Sequence, residues 1–108
     1  MLVEMNVYHC LPGRLPALLD RFRTVTLAMF EKHGFKPLAF FTTKIGQSHQ
    51  ELTFMLGWDS LEERDRCWGT FMADQEWLDA RTASEQDGMI VDNASNQILV
   101  PTDFSPLR

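Results

Sequence analysis

Cysteine is scarce in this sequence: 108 residues carry only Cys10 and Cys67. Neither stands in a CxxC pair or in a Cys/His cluster with zinc spacing, which removes the common zinc and dithiol motifs. Two isolated thiols, one at the end of an expected strand and one inside an expected helix, read as free cysteines of a reducing cytosol. Basic residues are also in short supply. Ten Lys and Arg against fifteen Asp and Glu give a net charge of -5, so the basic face that phosphate contact needs is missing and nucleic acid is excluded as an expected partner. Anionic membrane surfaces are disfavoured for the same reason. No apolar run approaches the roughly 18 residues of a membrane span, and no basic segment followed by an apolar run opens the chain. A cytoplasmic location is expected. Ser/His/Asp order, a phosphate loop, repeats and low-complexity tracts are all missing.

What remains is an ordinary globular composition, 44% hydrophobic, in a single domain over residues 1–108. Leu2 to His9 alternates, with Val3, Met5 and Val7 on one face and Glu4, Asn6 and Tyr8 on the other, as a strand does. Leu11-Pro12-Gly13 breaks it. From Arg14 to His33, Leu15, Leu18, Leu19, Phe22, Val25, Met29 and Phe30 recur at helical spacing. Pro16 fits only the first turn of that helix, and Gly34 after Lys32 and His33 marks its end. Phe35 to Ile45 reads as a second strand, with Leu38 and Phe40 on one face and Ala39 and Phe41 on the other. Gly46 to Gln50 is a polar turn. Glu51 to Trp58 is a third strand, with Leu52, Phe54, Leu56 and Trp58 on one face, so the pair forms an antiparallel hairpin.

Ser60 followed by Glu63 has the form of a capping box, starting a helix to about Met72 with Leu61, Trp68, Phe71 and Met72 inward. Asp74 is placed to cap a second helical piece that carries Trp77 and Leu78 and ends by Gly88. Met89 to Asn96 has little pattern; Gln97 to Val100 is a last short strand before Pro101. The order is βαββαβ, and its usual solution is an α+β, ferredoxin-like fold: a four-stranded antiparallel sheet with the helices on one face. Two helical layers cannot cover both faces of that sheet. Strands two and three nevertheless carry large apolar residues on both faces, and leaving one wet would expose a patch on the order of several hundred Å². A second copy packed sheet to sheet covers it, so a homodimer is expected, with a dimeric α/β barrel at its centre.

Several blocks, in order along nearly the whole chain, resemble the NIPSNAP family. They are Val3-Glu4-Met5 with Tyr8 and Pro12-Gly13; Phe40-Phe41-Thr42-Thr43-Lys44-Ile45-Gly46; Glu51-Leu52 through Trp58-Asp59-Ser60-Leu61 with Glu63-Arg64; Trp68 with Ala73-Asp74-Gln75-Glu76-Trp77; and Ile98-Leu99-Val100-Pro101-Thr102 with Phe104-Ser105-Pro106. The resemblance implies a dimeric barrel of ferredoxin-like protomers. That superfamily includes small oxygenases, isomerases and haem-handling enzymes, while NIPSNAP proteins lack an agreed activity. Two positions depart from bacterial relatives, which often carry Asn where His49 stands and Tyr where Phe54 stands.

The candidate site residues follow from chemistry and strand alternation. His49, in the hairpin turn between Ser48 and Gln50, titrates near neutrality and could serve as a proton donor or acceptor; a solvated turn residue is the plainer reading. Asn6 and Tyr8 share one strand face. Together with His49 they are the candidate catalytic residues, and with Phe22 and Trp68 as ligand-binding walls they would form an apolar pocket with a few polar groups, suited to a small molecule. In some haem-degrading members of the superfamily the site is a first-strand Asn, a helix Trp and a helix His. Asn6 and Trp68 match in place, but no His follows His49, so that route is not expected. No metal or cofactor is called for: His9 and Cys10, adjacent on a strand, point to opposite faces. His33 is explained by its place at a helix end. Two functions are carried forward, a small-molecule site of the cofactor-independent oxygenase or isomerase type, and a non-catalytic interaction or structural dimer.

Overall fold

The computed structural model describes residues 1–108. The element order is β1 (Leu2–Cys10), α1 (Leu15–Arg21), a π-helical segment (Phe22–Thr26), α2 (Leu27–Lys32), β2 (Lys36–Thr42), β3 (Glu51–Trp58), α3 (Leu61–Ala73), α4 (Gln75–Ser84) and β4 (Val91–Leu99). The strands form one antiparallel sheet in the order β2-β3-β1-β4. This is the expected ferredoxin-like arrangement.

Local chemistry sets the element ends. Pro16 falls in the first turn of α1. Gly34 takes φ +79°; the amide of Phe35 then reaches the carbonyl of Phe30 at 2.9 Å and the amide of Gly34 that of Glu31 at 3.2 Å, closing the last turn of α2. Ser60 caps α3, its hydroxyl accepting from the Glu63 amide at 3.1 Å. The Glu63 carboxylate reaches back past Ser60 and accepts from the Asp59 amide at 3.0 Å. Asp74 caps α4 through the Glu76 amide at 2.9 Å. It also holds Lys32 Nζ at 2.8 Å and His33 Nε2 at 2.7 Å. The bonds from Lys32 and then from His33 hold the Asp74 carboxyl well below its ordinary value, at about 2. The α3–α4 corner is thereby tied to the end of α2, which gives His33 its structural role.

Several details depart from the sequence reading. The long helix is interrupted by the π segment, which an unbroken apolar stripe gives no reason to expect. β2 ends at Thr42 rather than Ile45, whose side chain is 93% exposed. β4 begins at Val91, not Gln97. It is an edge strand paired only with β1 and exposed from Asp92 onward, so backbone pairing forms it without an alternating pattern. Leu61 and Met72, expected inward, are 53% and 49% exposed, at the two ends of α3.

Alternation gives the sheet two different faces. Toward the helices point Glu4, Asn6 and Tyr8 of β1, and Leu52, Phe54, Leu56 and Trp58 of β3, all of these β3 residues buried. Phe30 lies at the centre of this side, stacked on Phe35 at 4.4 Å and touching Phe54, Trp68 and Phe71. The other face has no helix over it. It carries Val3, Met5 and Val7, paired with Gly57, Met55 and Thr53, together with Ala39 and Phe41 of β2 and Leu99 of β4. A register shift between Pro37 and Ala39 turns Leu38 to this side. Its Cδ2 lies 3.5 Å from the place a Cβ on Gly57 would occupy. Leu38 and Phe40, expected on one face, therefore point apart. Leu38, Phe41 and Leu99 are exposed on the bare face.

Candidate functional site

The helix-covered side is not filled evenly. A cavity of about 280 Å³ lies between β1 and β4 on one side and the π segment, α3 and α4 on the other. Tyr8, Phe22, Trp68, Phe71 and Trp77 form its aromatic walls, and Arg21, Arg81 and Glu85 its charged groups. The reason for the space is in β4: opposite Tyr8 stands Ala94, and opposite Asn6 stands Asn96. Small and polar side chains there cannot close the gap beneath them.

The π segment shapes the wall. One extra residue per turn widens a helix locally, and such insertions often occur at functional sites. Here it presents Phe22 and Thr26 to the cavity, with Thr26 Oγ1 donating to the Arg21 carbonyl five residues back at 3.4 Å. Arg21, the last residue of α1, is 7% exposed. Its Nη1 donates to Ser84 Oγ at 3.3 Å and to Glu85 Oε1 at 3.5 Å, and its guanidinium sits 5.6 Å above the Trp77 ring, a cation–π arrangement. Burial draws this guanidinium down from its ordinary value, and Glu85 works against that shift; an arginine remains charged regardless. Tyr8 packs edge-on against Phe54 and Phe22, at 5.1 and 6.1 Å. Burial first, then the charge of Glu4, raises its hydroxyl to about 12. At neutral pH it is a hydrogen-bond donor and not a base.

A smaller cleft adjoins the first. It shares Tyr8, Trp68 and Ala94 with it and is bounded by Glu4, Asn6, Arg64 and Asn96. Glu4 is fully buried. Its Oε1 accepts from Trp58 Nε1 at 2.9 Å, Trp68 Nε1 at 3.0 Å and Arg64 Nε at 3.1 Å, and its Oε2 from Arg64 Nη2 at 3.2 Å and Asn96 Nδ2 at 3.5 Å. A buried carboxylate is tolerated only when paired and hydrogen-bonded. Glu4 meets both conditions, and it fastens α3 to three strands. Two of the three tryptophans thus serve as donors to one carboxylate as well as packing groups.

Of the residues expected at the site, Tyr8, Phe22 and Trp68 line the main cavity and Asn6 lines the adjoining cleft. His49 is not brought to them. It lies exposed in the turn before β3 and lines neither space. The turn places Gln50, not His49, against the body of the protein, where its carbonyl accepts from the Cys10 amide at 2.7 Å and its side chain from the Gly13 amide at 3.1 Å. Glu51, two residues on, bonds His9 at 3.1 Å. Glu4, Arg21, Trp77 and Arg81 were not read as site residues. Arg21 left a signal: it falls three residues after Leu18 on the buried side of α1, where a charged residue needs an explanation. Cys10 and Cys67 are free and buried.

The NIPSNAP family model matches residues 3–106. The chain belongs to the NIPSNAP family. Among solved structures, a NIPSNAP family protein (Atu5224) from Agrobacterium tumefaciens is 29% identical, with a TM-score of 0.87 over 99% of this chain and 98% of that one. A second, Atu4242 from the same organism, a NIPSNAP family protein with unknown function, is 27% identical, with a TM-score of 0.87 over 100% and 94%. A mutant of MhuD with two manganese protoporphyrin IX molecules bound per active site shares the fold, at 18% identity and a TM-score of 0.63 over 97% and 99%. No curated protein matches the chain. The NIPSNAP fold, in this chain, has no helix long and apolar enough to cross a membrane.

Proposed function

We propose that this NIPSNAP protein is a homodimer, joined through the bare sheet face, that holds a small and largely apolar molecule in the cavity between its sheet and helices. The observation that carries the binding reading is the cavity itself: an aromatic-walled space of about 280 Å³, near the lower end of the roughly 300–1,000 Å³ of small-molecule sites. Interiors are otherwise close-packed: at the cavity's inner wall Phe30 and Phe71 pack against each other and against Phe35, which in turn meets Trp58.

Binding is favoured over an oxygenase or isomerase role by the state of the polar groups. Proton transfer from a bound molecule needs a free base beside it. Tyr8 stays protonated, Glu4 is engaged by five donors, and one oxygen of Glu85 is divided between Arg21 and Arg81. The interaction-dimer reading draws on the other face of the sheet, where Leu38 and Phe41 on one edge strand and Leu99 on the other are exposed and half-buried Met5 and Met55 lie between them. The two readings are compatible in one molecule. The test of the first is a titration of the three indole N–H resonances with small aromatic and alicyclic compounds. Shifts confined to Trp68 and Trp77 are expected, with Trp58, sealed behind Glu4, unmoved. No shift with any compound at millimolar concentration would remove the binding reading.

A further inference from the structure

We infer that the molecule held in the cavity is an aromatic or alicyclic carboxylic acid, bound as its anion with the carboxylate against Arg21. The inference rests on the small-molecule reading above and adds the chemical class. It starts from a hydrogen-bond imbalance. Three buried side-chain polar atoms have no partner: Asn6 Nδ2, Arg21 Nε and Trp77 Nε1. All three are donors, and all belong to residues lining the main cavity or the cleft that joins it. Buried polar atoms are nearly always paired, and leaving one unpaired costs about 1–3 kcal/mol, more for a charged group.

The surplus is sharpest at Arg21. Its guanidinium can make five hydrogen bonds, but Nη1 alone is engaged, with two long contacts at 3.3 and 3.5 Å. Nε and Nη2, the side-on fork that suits a carboxylate, take no acceptor from the protein. Nearby, the Tyr8 hydroxyl is held protonated, and no hydrogen bond contributes to its shift. Charge points the same way. Arg21 and Arg81 face the cavity with one carboxylate, Glu85, whose Oε1 meets both. Two cations against one anion leave the lining with one positive charge, on a chain whose net charge is -5. The other nearby acid, Glu4, is already matched by Arg64. For a ligand rich in donors, or for a cation, the charged acceptor left is the second oxygen of Glu85, beside two arginines. A compact group with two acceptor oxygens and a negative charge meets Arg21, Tyr8 and Arg81 together, while its ring lies among Phe22, Trp68 and Trp77.

The test compares isosteric probes by titration calorimetry at pH 7: phenylacetate against phenylacetamide, and cyclohexanecarboxylate against its amide, with the wild-type protein and with Arg21→Met. The expected result is that each acid binds at least tenfold more tightly than its amide, and that Arg21→Met abolishes this preference while still binding the amides. Equal binding of acid and amide to the wild type, or tighter binding of the amide, overturns the carboxylate assignment and leaves the small-molecule reading standing. Failure of all four probes to bind or to shift the Trp77 indole resonance removes that reading, and the assignment with it. Should Arg21→Met not fold, the wild-type ratio decides alone, and Arg81→Gln at the cavity mouth is expected to weaken the acids severalfold and leave the amides unchanged.

Discussion

Beneath β3 the helix-facing positions are Leu52, Phe54, Leu56 and Trp58, all buried; beneath β4 the paired positions are Ala94, Asn96 and Ile98. The first half of the layer is solid and the second hollow, although the same sheet and the same long helical stretch span both. The contrast comes from side-chain volume on one strand. β3 is central, covered on its inner face, and filled with large residues. β4 is an edge strand whose inner positions at the cavity, Ala94 and Asn96, are small or polar, and Trp77, Phe22 and Arg21 line the space across from them.

Substitutions on the two halves should therefore behave differently. The largest effect is expected where filling and pairing coincide. Glu4→Ala strands Arg64 and two indoles, and should cost about 3–5 kcal/mol, the range for breaking a buried ion pair. Phe54→Ala, in the solid half and fully buried, should lose a similar amount, about 3–5 kcal/mol. Urea denaturation measures both; a loss under about 1 kcal/mol for either would mean that this half is not the core. On the bare sheet face, Phe41→Glu should convert a particle near twice 12.5 kDa into a monomer, read by light scattering, with little change in the protomer's circular dichroism. A wild-type protein already monomeric at micromolar concentration would rule out the pairing.

Ser60→Ala removes the cap of α3 and is expected to lower stability by about 0.5–2 kcal/mol. An unmoved denaturation midpoint would place the helix start elsewhere. The corner held by Asp74 has a pH signature. Its folded carboxyl sits below its ordinary 3.8, at about 2, so its contribution is fully present above pH 3.8 and is lost as pH falls toward 2. Asp74→Asn should flatten the stability curve over that window; an unchanged slope there would show that the Lys32 and His33 contacts do not persist in solution. The smallest effect on stability belongs to the hollow half. Ala94→Leu adds volume where there is space, so it should change stability by less than about 1 kcal/mol, against the roughly 1–3 kcal/mol of overpacking a filled core, while blocking ligand binding.

The solid half was legible in the sequence and the hollow half only in part. Leu52 to Trp58 announces itself by alternation, and Ser60, Asp74 and Gly34 by capping chemistry, because each is a local rule. β4 announces little, since an edge strand is held by backbone bonds that its side chains need not reflect. Tyr8, Asn6, Phe22 and Trp68 could be placed by alternation and helical spacing. The part played by Arg21 could not, because it depends on how α4 brings Ser84, Glu85 and Trp77 to it across more than 50 residues of chain. His49 stands out by its chemistry alone, and a turn position carries no rule about where a side chain aims.

The π segment is, in effect, a phase shift written into a helix. An α-helix advances about 100° per residue, at 3.6 residues per turn, so one residue accommodated without its own rung rotates everything before it relative to everything after. Leu18 and Arg21 can then address β3 and α4 while Met29 and Phe30 address β2 and α3. Deleting one residue between Phe22 and Thr26 would restore the regular ladder and swing α1 by that angle, carrying Arg21 away from Trp77 and Glu85. The π segment thus serves as the hinge pin that keeps two unlike compartments under one sheet.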